Sequence, residues 1–424
     1  RFNREIDSYQ EGIFDTIPIN GKDITLTIDS RLQEYGEKLL TNKRGGIVAL
    51  EPSTGEILAL ISAPNYDPKL LVGRERSKNF TKLWYDTISR PLFDRVLQGE
   101  YPPGSPFKTL TALIGMQEEV VHKDEKLICQ GSYNYGGKKN LGCHLHKTPL
   151  NMSEGLANSC NTYFCKIYKR TLEKFSTPQE GIDNWKRHLM SFGLGNYIGY
   201  DLPPGKKGLI PSSEFYNKWY QFPKYKWYAS ATISNAIGQG EILTTPIQLA
   251  NFTAAIANKG YFYTPHIVKK IARKPINNPN YTIKKQTTIK REYFEPVIEA
   301  MHEVFKTGTG RWSQVKGIEI CGKTGTSENF IRINGYKQQL PDHSILVAFA
   351  PKENPKIALA VFVENGGFGS TIAAPITSLM IEKYLNRYIS EENKLRESNM
   401  LNLSLQNIYN YYRPKNREVA SRKE

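Results

Sequence analysis

Lys323-Thr324-Gly325-Thr326 closes an apolar run, Gly317-Ile318-Glu319-Ile320-Cys321-Gly322, and two short motifs lie upstream of it, Ser105-Pro106-Phe107-Lys108 and Ser159-Cys160-Asn161. The trio constrains the fold because its pieces are useful only together: a serine nucleophile, a lysine to deprotonate it and a cationic strand to hold a carboxylate. They are scattered over about half of the chain, so they meet only in a folded domain of some size.

Each motif has a double elsewhere. Ser313-Gln314-Val315-Lys316 repeats Ser-x-x-Lys, Ser77-Lys78-Asn79 and Ser327-Glu328-Asn329 repeat Ser-x-Asn, and Lys306-Thr307-Gly308-Thr309 repeats the third motif. Context separates them. Val297, Ile298, Met301, Val304 and Phe305 fall at helical spacing before Lys306, so Gly308 reads as a helix C-cap. Lys323 instead follows alternating Ile318 and Ile320 and reads as a strand running into a cleft. Ser105 follows Tyr101-Pro102-Pro103-Gly104 and opens an apolar segment with Pro106 at its first helical position, a good helix start that needs no chemistry. The same geometry suits catalysis, because unpaired N–H groups at a helix start stabilise an oxyanion and Lys108 lies one turn on. Ser313 has no such helix behind it. Ser159 and Asn161 begin another helical segment, where capping competes with a hydroxyl and an amide facing one cleft.

On these residues the chain resembles the penicillin-binding, active-site-serine transpeptidases, whose motif set is S-x-x-K, S-D-N and K-T-G. The likeness extends over roughly residues 20–390. Gly45–Pro68 looks like the family's opening hairpin with a Pro52-Ser53-Thr54-Gly55 turn, and Gly238-Gln239-Gly240 begins another signature. Pro91–Lys108, Phe192–Pro204 and Trp227–Ala250 are most similar to class B members of the penicillin-binding protein 2 type, which act in elongation. Two departures stand out: Pro106 occupies a place usually held by a small residue, and Asp94-Arg95 replaces Asn-Arg.

The resemblance implies an α/β fold, an antiparallel sheet of about five strands flanked by helices, with a mostly helical lobe across a cleft. Ser344–Ala350 and Lys356–Val363 read independently as a hairpin after the Lys323 strand, and Ile372, Ile376, Leu379, Met380 and Tyr384 give a closing helix one apolar face. The implied activity is a D,D-transpeptidase that cross-links peptidoglycan stem peptides through a Ser105 ester and is acylated by β-lactams. Lys108 would be the base, Ser159 the proton relay and Asn161 a grip on the peptide. Lys323, Thr324, Gly325 and Thr326 would bind the terminal carboxylate, and no cofactor is required for the chemistry. A serine β-lactamase or D,D-carboxypeptidase passing the acyl group to water, and a non-catalytic penicillin-sensing domain, share the same motifs.

Three regions are expected: 1–22 as the remnant of an N-terminal pedestal, 23–390 as the transpeptidase domain, and 391–424 as a tail, helical around Leu401–Tyr411. The resemblance further implies an inner-membrane anchor absent from this chain, a catalytic domain on the periplasmic face, and a membrane glycosyltransferase of the elongation complex as partner. No run of the sequence approaches the ~18 apolar residues of a membrane helix.

The chain is 39% hydrophobic and 23% charged, enough for an ordinary core, with a formal net charge of +16. Pro265–Arg291 holds eight Lys or Arg and no acid, a solvated face or a contact for an anionic surface such as lipid headgroups or wall polymer. No finger, helix-turn-helix or aromatic RNA-binding motif appears, so nucleic acid is the weaker reading of this stretch and is not expected as a partner.

Four of the five cysteines, Cys129, Cys143, Cys160 and Cys165, cluster with His144 and His146. Thiolates and an imidazole suit a closed, tetrahedral structural zinc site, with Cys129, Cys143, His146 and Cys160 as ligands and His144 as substitute for His146. Some relatives of the penicillin-binding protein 2 type carry a metal in this stretch. A disulfide in an oxidising compartment and buried apolar thiols are the competing readings.

Overall fold

The computed structural model of the chain describes residues 20–135, 138–202, 205–333 and 336–411. Nearly all of the expected pedestal remnant, and the expected tail beyond residue 411, lie outside the described residues.

The central sheet has five strands, β1 (Gly45–Leu50), β2 (Ile57–Ala63), β3 (Cys321–Ile333), β4 (Tyr336–Ala350) and β5 (Ile357–Val363). Their order is β3-β4-β5-β1-β2, antiparallel throughout. β1 and β5 are buried at every position, which requires cover on both faces and explains why they read as continuous apolar runs rather than alternating ones. The turn joining β1 to β2 needs Gly55, whose φ of +79° is easy only for glycine.

The helices that matter here are α1 (Ser30–Leu39), α2 (Lys108–Gln117), α3 (Asn161–Glu173), α4 (Pro246–Ala257), α5 (Phe294–Lys306), α6 (Ala373–Asn386), α7 (Lys394–Asn402) and α8 (Gln406–Tyr411). α1 and α6 pack on each other and on the sheet, and α4, buried along its whole length, packs on β1, β4 and β5. The outer edge, β2, is blunted by one side chain. Gln33 Nε2 donates to Leu60 O at 3.0 Å while Leu60 N donates to Gln33 Oε1 at 2.9 Å, so this edge offers fewer free groups to another strand. The opposite edge, β3, borders the cleft.

α2 is buried from Lys108 to Met116 and runs through the core of the helical lobe, in contact with α3. Thr111 Oγ1 donates to Ala236 O at 2.8 Å, so this buried hydroxyl is satisfied. The anticipated tail helix around 401–411 is two helices, α7 and α8, broken at Leu403–Leu405, with Met400, Leu405 and Tyr409 buried. The basic stretch contributes Val268–Ile271 and Lys274–Pro275 to a small sheet with Ile24–Leu26, and Lys269 pairs with Glu56 at 2.8 Å. Among the described residues no helix is long and apolar enough to cross a membrane.

Candidate active site

Ser105 does not cap a helix with its side chain. It opens a tight turn, Ser105–Phe107, that leads straight into α2, and its Oγ is left free for other partners. Gly104 before it has φ +63°, and a methyl group added there would lie 2.8 Å from Thr326 O. Glycine thus lets the backbone leading into Ser105 press against β3. Gly325 does the same from the other side, where an added methyl would lie 2.4 Å from Pro106 Cδ.

Ser159 is also freed from capping. Cys160 is the N-cap of α3, its Sγ accepting from Tyr163 N at 3.4 Å, while Ser159 sits in the left-handed region at φ +54°. A non-glycine residue held there costs ~1–3 kcal/mol, retained where the surroundings fix it. The bonds that fix it converge on Lys108. Lys108 Nζ donates to Ser159 O at 2.7 Å, to Ser159 Oγ at 3.0 Å and to Asn161 Oδ1 at 2.6 Å. Ser159 Oγ donates onward to Ser105 Oγ at 3.1 Å. The hydrogen bonds therefore run from Lys108 through Ser159 to Ser105, whereas the motif alone suggested direct contact between lysine and nucleophile. Asn161 Nδ2 donates to Gly142 O at 2.6 Å, so both ends of its amide are engaged.

Both lysines are fully buried. Burial pulls the Lys108 ammonium down to about 8, with the nearby Cys160, Cys165 and Cys143 opposing the shift. Burial, and then the charge of Lys108, take Lys323 well below its ordinary value. Lys323 Nζ donates to Thr324 O at 3.1 Å, and Lys323 does not line the cleft. Thr324, Gly325 and Thr326 do line it, with Ser105, Ser159 and Asn161, around a volume of about 550 Å³.

Two cleft residues were not among the expected site residues. Thr309, part of the duplicate Lys-Thr-Gly-Thr, shares a 2.6 Å hydrogen bond with Thr324. Its neighbour Gly308 is not a left-handed cap. It is needed because a methyl there would lie 2.4 Å from Ala157 O. Gln239, from the Gly-Gln-Gly signature, donates to Thr326 O at 3.2 Å. Two other duplicates stay outside the cleft lining, since Ser313 is buried in a separate turn and Ser77 lies on an outer helix, whereas Glu328 of Ser327-Glu328-Asn329 is part of that lining.

This constellation agrees with the comparison to known families. The penicillin-binding protein transpeptidase domain family matches residues 45–382. The chain belongs to that family. It is 35% identical over 370 residues to the peptidoglycan D,D-transpeptidase MrdA of Acinetobacter baumannii, a match covering 84% of this chain and 53% of that protein. The chain thus spans about half the length of the curated relatives it matches. Among solved structures, Pseudomonas aeruginosa PBP2 in complex with WCK 5153 is similar with a TM-score of 0.74 at 34% identity, covering 89% of this chain and 78% of that one. The penicillin G acyl-enzyme of penicillin-binding protein A from M. tuberculosis is similar with a TM-score of 0.68 at 27% identity, covering 88% of this chain and 82% of that one.

Beside the cleft, the ligating atoms of Cys129, Cys143, His146 and Cys160 all lie within 4.8 Å of one another. Cys143 Sγ and Cys160 Sγ are 3.9 Å apart. Zn–S bonds of ~2.3 Å in a tetrahedron place two sulfurs at about that spacing, and a disulfide would need ~2.05 Å. All five cysteines are free thiols. His146 turns Nδ1 to Lys147 O at 2.8 Å, so Nδ1 carries the proton, and its buried Nε2 has no partner. An orphaned imidazole lone pair beside three thiols fits zinc. The hydrogen bond from Cys160 holds the Cys143 thiol well below its ordinary value, while the same bond and burial push Cys160 up. His144 is outside the cluster. It lines the cleft, with its ring edge-on to Phe368 at 6.4 Å.

Proposed function

We propose that this chain is the catalytic part of a peptidoglycan D,D-transpeptidase that works through a serine acyl-enzyme during cell elongation. The observation that carries the reading is the unbroken bond path from buried Lys108 through Ser159 to Ser105, at the foot of a cleft edged by Thr324 and Thr326. In this reading Ser105 attacks the carbonyl of a terminal D-Ala-D-Ala bond, and its proton passes through Ser159 to neutral Lys108. The backbone N–H groups of Ser105 and Thr326 hold the oxyanion, each donor contributing about 2.7–4 kcal/mol. Ser159 returns the proton to the departing D-alanine nitrogen, and Asn161 steadies the peptide. Thr324, Gly325 and Thr326 receive the terminal carboxylate, with Lys323 acting from behind the strand. The amine of a second stem peptide then attacks the ester, forming the cross-link and releasing Ser105. A β-lactam presents the same carboxylate and carbonyl and leaves Ser105 acylated, as in the penicillin G acyl-enzyme of the mycobacterial relative.

Domain limits of 23–390 for this activity, an inner-membrane protein with this part in the periplasm, and a glycosyltransferase partner complete the proposal. The likeness to MrdA and PBP2 supports them. Labelling with a fluorescent penicillin tests the nucleophile. Parent and Ser313→Ala are expected to label equally and Ser105→Ala not at all, and retained label on Ser105→Ala overturns the assignment. Rapid nitrocefin turnover in place of single labelling would favour transfer to water.

Cys129, Cys143, His146 and Cys160 would hold a structural zinc. The ion supplies a cross-link between 129–146 and the start of α3, next to Ser159 and Asn161, and takes no part in the acyl transfer. Elemental analysis of protein purified without added metal is expected to find about one zinc per chain. A clearly substoichiometric content ends the idea.

A further inference from the structure

Glu364, the residue after β5, joins three distant parts of the chain. Its Oε1 accepts from Tyr101 Oη at 2.9 Å and from Arg95 Nε at 2.9 Å. Its backbone N–H donates to Arg44 O at 2.8 Å, and its carbonyl accepts from Tyr409 Oη at 3.0 Å. Tyr409 Oη also accepts from Arg44 N at 2.8 Å, and the Arg44 guanidinium lies 4.2 Å over the Tyr409 ring. Arg95 is buried, and its outer nitrogens donate to backbone carbonyls, Ser89 O at 3.0 Å among them.

Tyr101 is the member of this network nearest to Ser105 along the chain. Its ring stacks on Phe362 at 3.9 Å and meets His343 edge-on at 5.7 Å. Its backbone exchanges two hydrogen bonds with Thr244, at 2.9 and 2.8 Å. Only Pro102, Pro103 and Gly104 separate it from Ser105. Two prolines fix two φ angles, and Gly104 N donates to Gly238 O at 2.8 Å, so this link has little slack. A shift at the Tyr101 ring is therefore passed on to the Ser105 backbone, which carries both the nucleophile and a donor to the oxyanion.

We propose that Glu364 is a positioning residue for Ser105, acting through Tyr101, and that α8 completes its setting through Tyr409. Tyr409 lies beyond residue 382, where the family match ends, so this clasp is a property of the chain's C-terminal segment. The inference rests on the reading of Ser105 as the nucleophile.

Tyr101→Phe is the informative variant, since it keeps the ring packing and the Arg95–Glu364 ion pair and removes only the tie. Saturation kinetics of acylation by a fluorescent penicillin separate non-covalent binding from the acylation step. Small displacements of reacting groups cost up to ~10²-fold, so the acylation step should slow about tenfold in Tyr101→Phe. Binding should stay within about twofold, and the melting temperature should barely change. Glu364→Gln should slow the same step, and adding Tyr101→Phe to it should cost little more, because the two act as one unit. Tyr409→Phe should slow it about threefold. An unchanged acylation step in Tyr101→Phe, or additive losses in the double variant, overturns the proposal. A parental rate in Tyr409→Phe overturns the part given to α8. A parent that does not label, or a Ser105→Ala variant that does, sinks the reading of Ser105 and this inference with it. A labelled parent beside an unaffected Tyr101→Phe sinks this inference alone.

Discussion

Replacing Lys108 by Met is expected to slow acylation by β-lactam about 10³-fold, because it removes the proposed base while keeping an unbranched side chain in a buried slot. The same base sets a pH profile for the parent. The competent form is the neutral amine, and burial pulls its titration down to about 8. Below that pH the ammonium form predominates and the rate should fall about tenfold per unit, while above it the rate should level off. The sign separates two roles for this residue. An ammonium acting only as a fixed charge would lose activity as pH rises through 8, the opposite slope. Stopped-flow acylation between pH 6 and 9.5 checks this, and a flat or falling profile removes Lys108 as the base. The bonds around Lys108 explain why Lys108→Arg should not rescue. Its three N–H groups reach Ser159 O, Ser159 Oγ and Asn161 Oδ1, and a guanidinium would remain charged throughout the range.

The sequence carried the motifs but not the wiring among them. Ser105, Lys108 and Ser159, which the structure brings together, were legible because each needs a particular residue type in a particular local setting. The path through Ser159 was not, since it depends on a left-handed φ at Ser159 and on Cys160 taking over the N-cap of α3. The letters of Ser-Cys-Asn are compatible with either residue as cap. Thr309 was hidden for the opposite reason. Its motif was correctly placed after a helix, yet the chain beyond that helix turns back so that Thr309 N donates to Ala157 O and its hydroxyl meets Thr324. A helical period says where an element ends and nothing about what its following loop touches.

The sheet was read from its apolar runs, and β1, β4 and β5 are strands as expected, though β4 begins earlier, at Tyr336, than the apolar stretch from Ser344. Polar residues at its start gave no strand signal because β4 is exposed there, and it is the pairing with β3 that extends it. The C-terminal segment looked like a tail because charge, Asn and Ser dilute its few apolar residues. Met400, Leu405 and Tyr409 are enough to dock it, and Lys43 Nζ donates to Met400 O at 2.7 Å to finish the end of α7. A buried lysine serving a helix carbonyl is invisible to any periodicity.

Gly325→Ala is expected to slow acylation about 10²-fold, although alanine suits a strand and the φ of this glycine is not positive. The new methyl would lie 2.4 Å from Pro106 Cδ and 3.1 Å from its Cγ, while the next neighbour, Ile345 Cβ, is at an ordinary 3.4 Å. The strain is thus confined to the proline ring beside the nucleophile. That ring cannot rotate away, so either β3 or the Ser105 turn must move, and both carry the donors proposed for the oxyanion. Pro106→Ala removes the colliding atoms without removing a hydrogen bond, because proline offers no N–H there. The double variant should therefore regain most of the acylation rate lost by Gly325→Ala alone, a coupling of about 2 kcal/mol expressed as a cycle. Saturation kinetics on the four proteins of that cycle provide the check. Additive losses would place the damage elsewhere on the strand, and a harmless Gly325→Ala would mean that the Ser105 turn is not held against β3 at all.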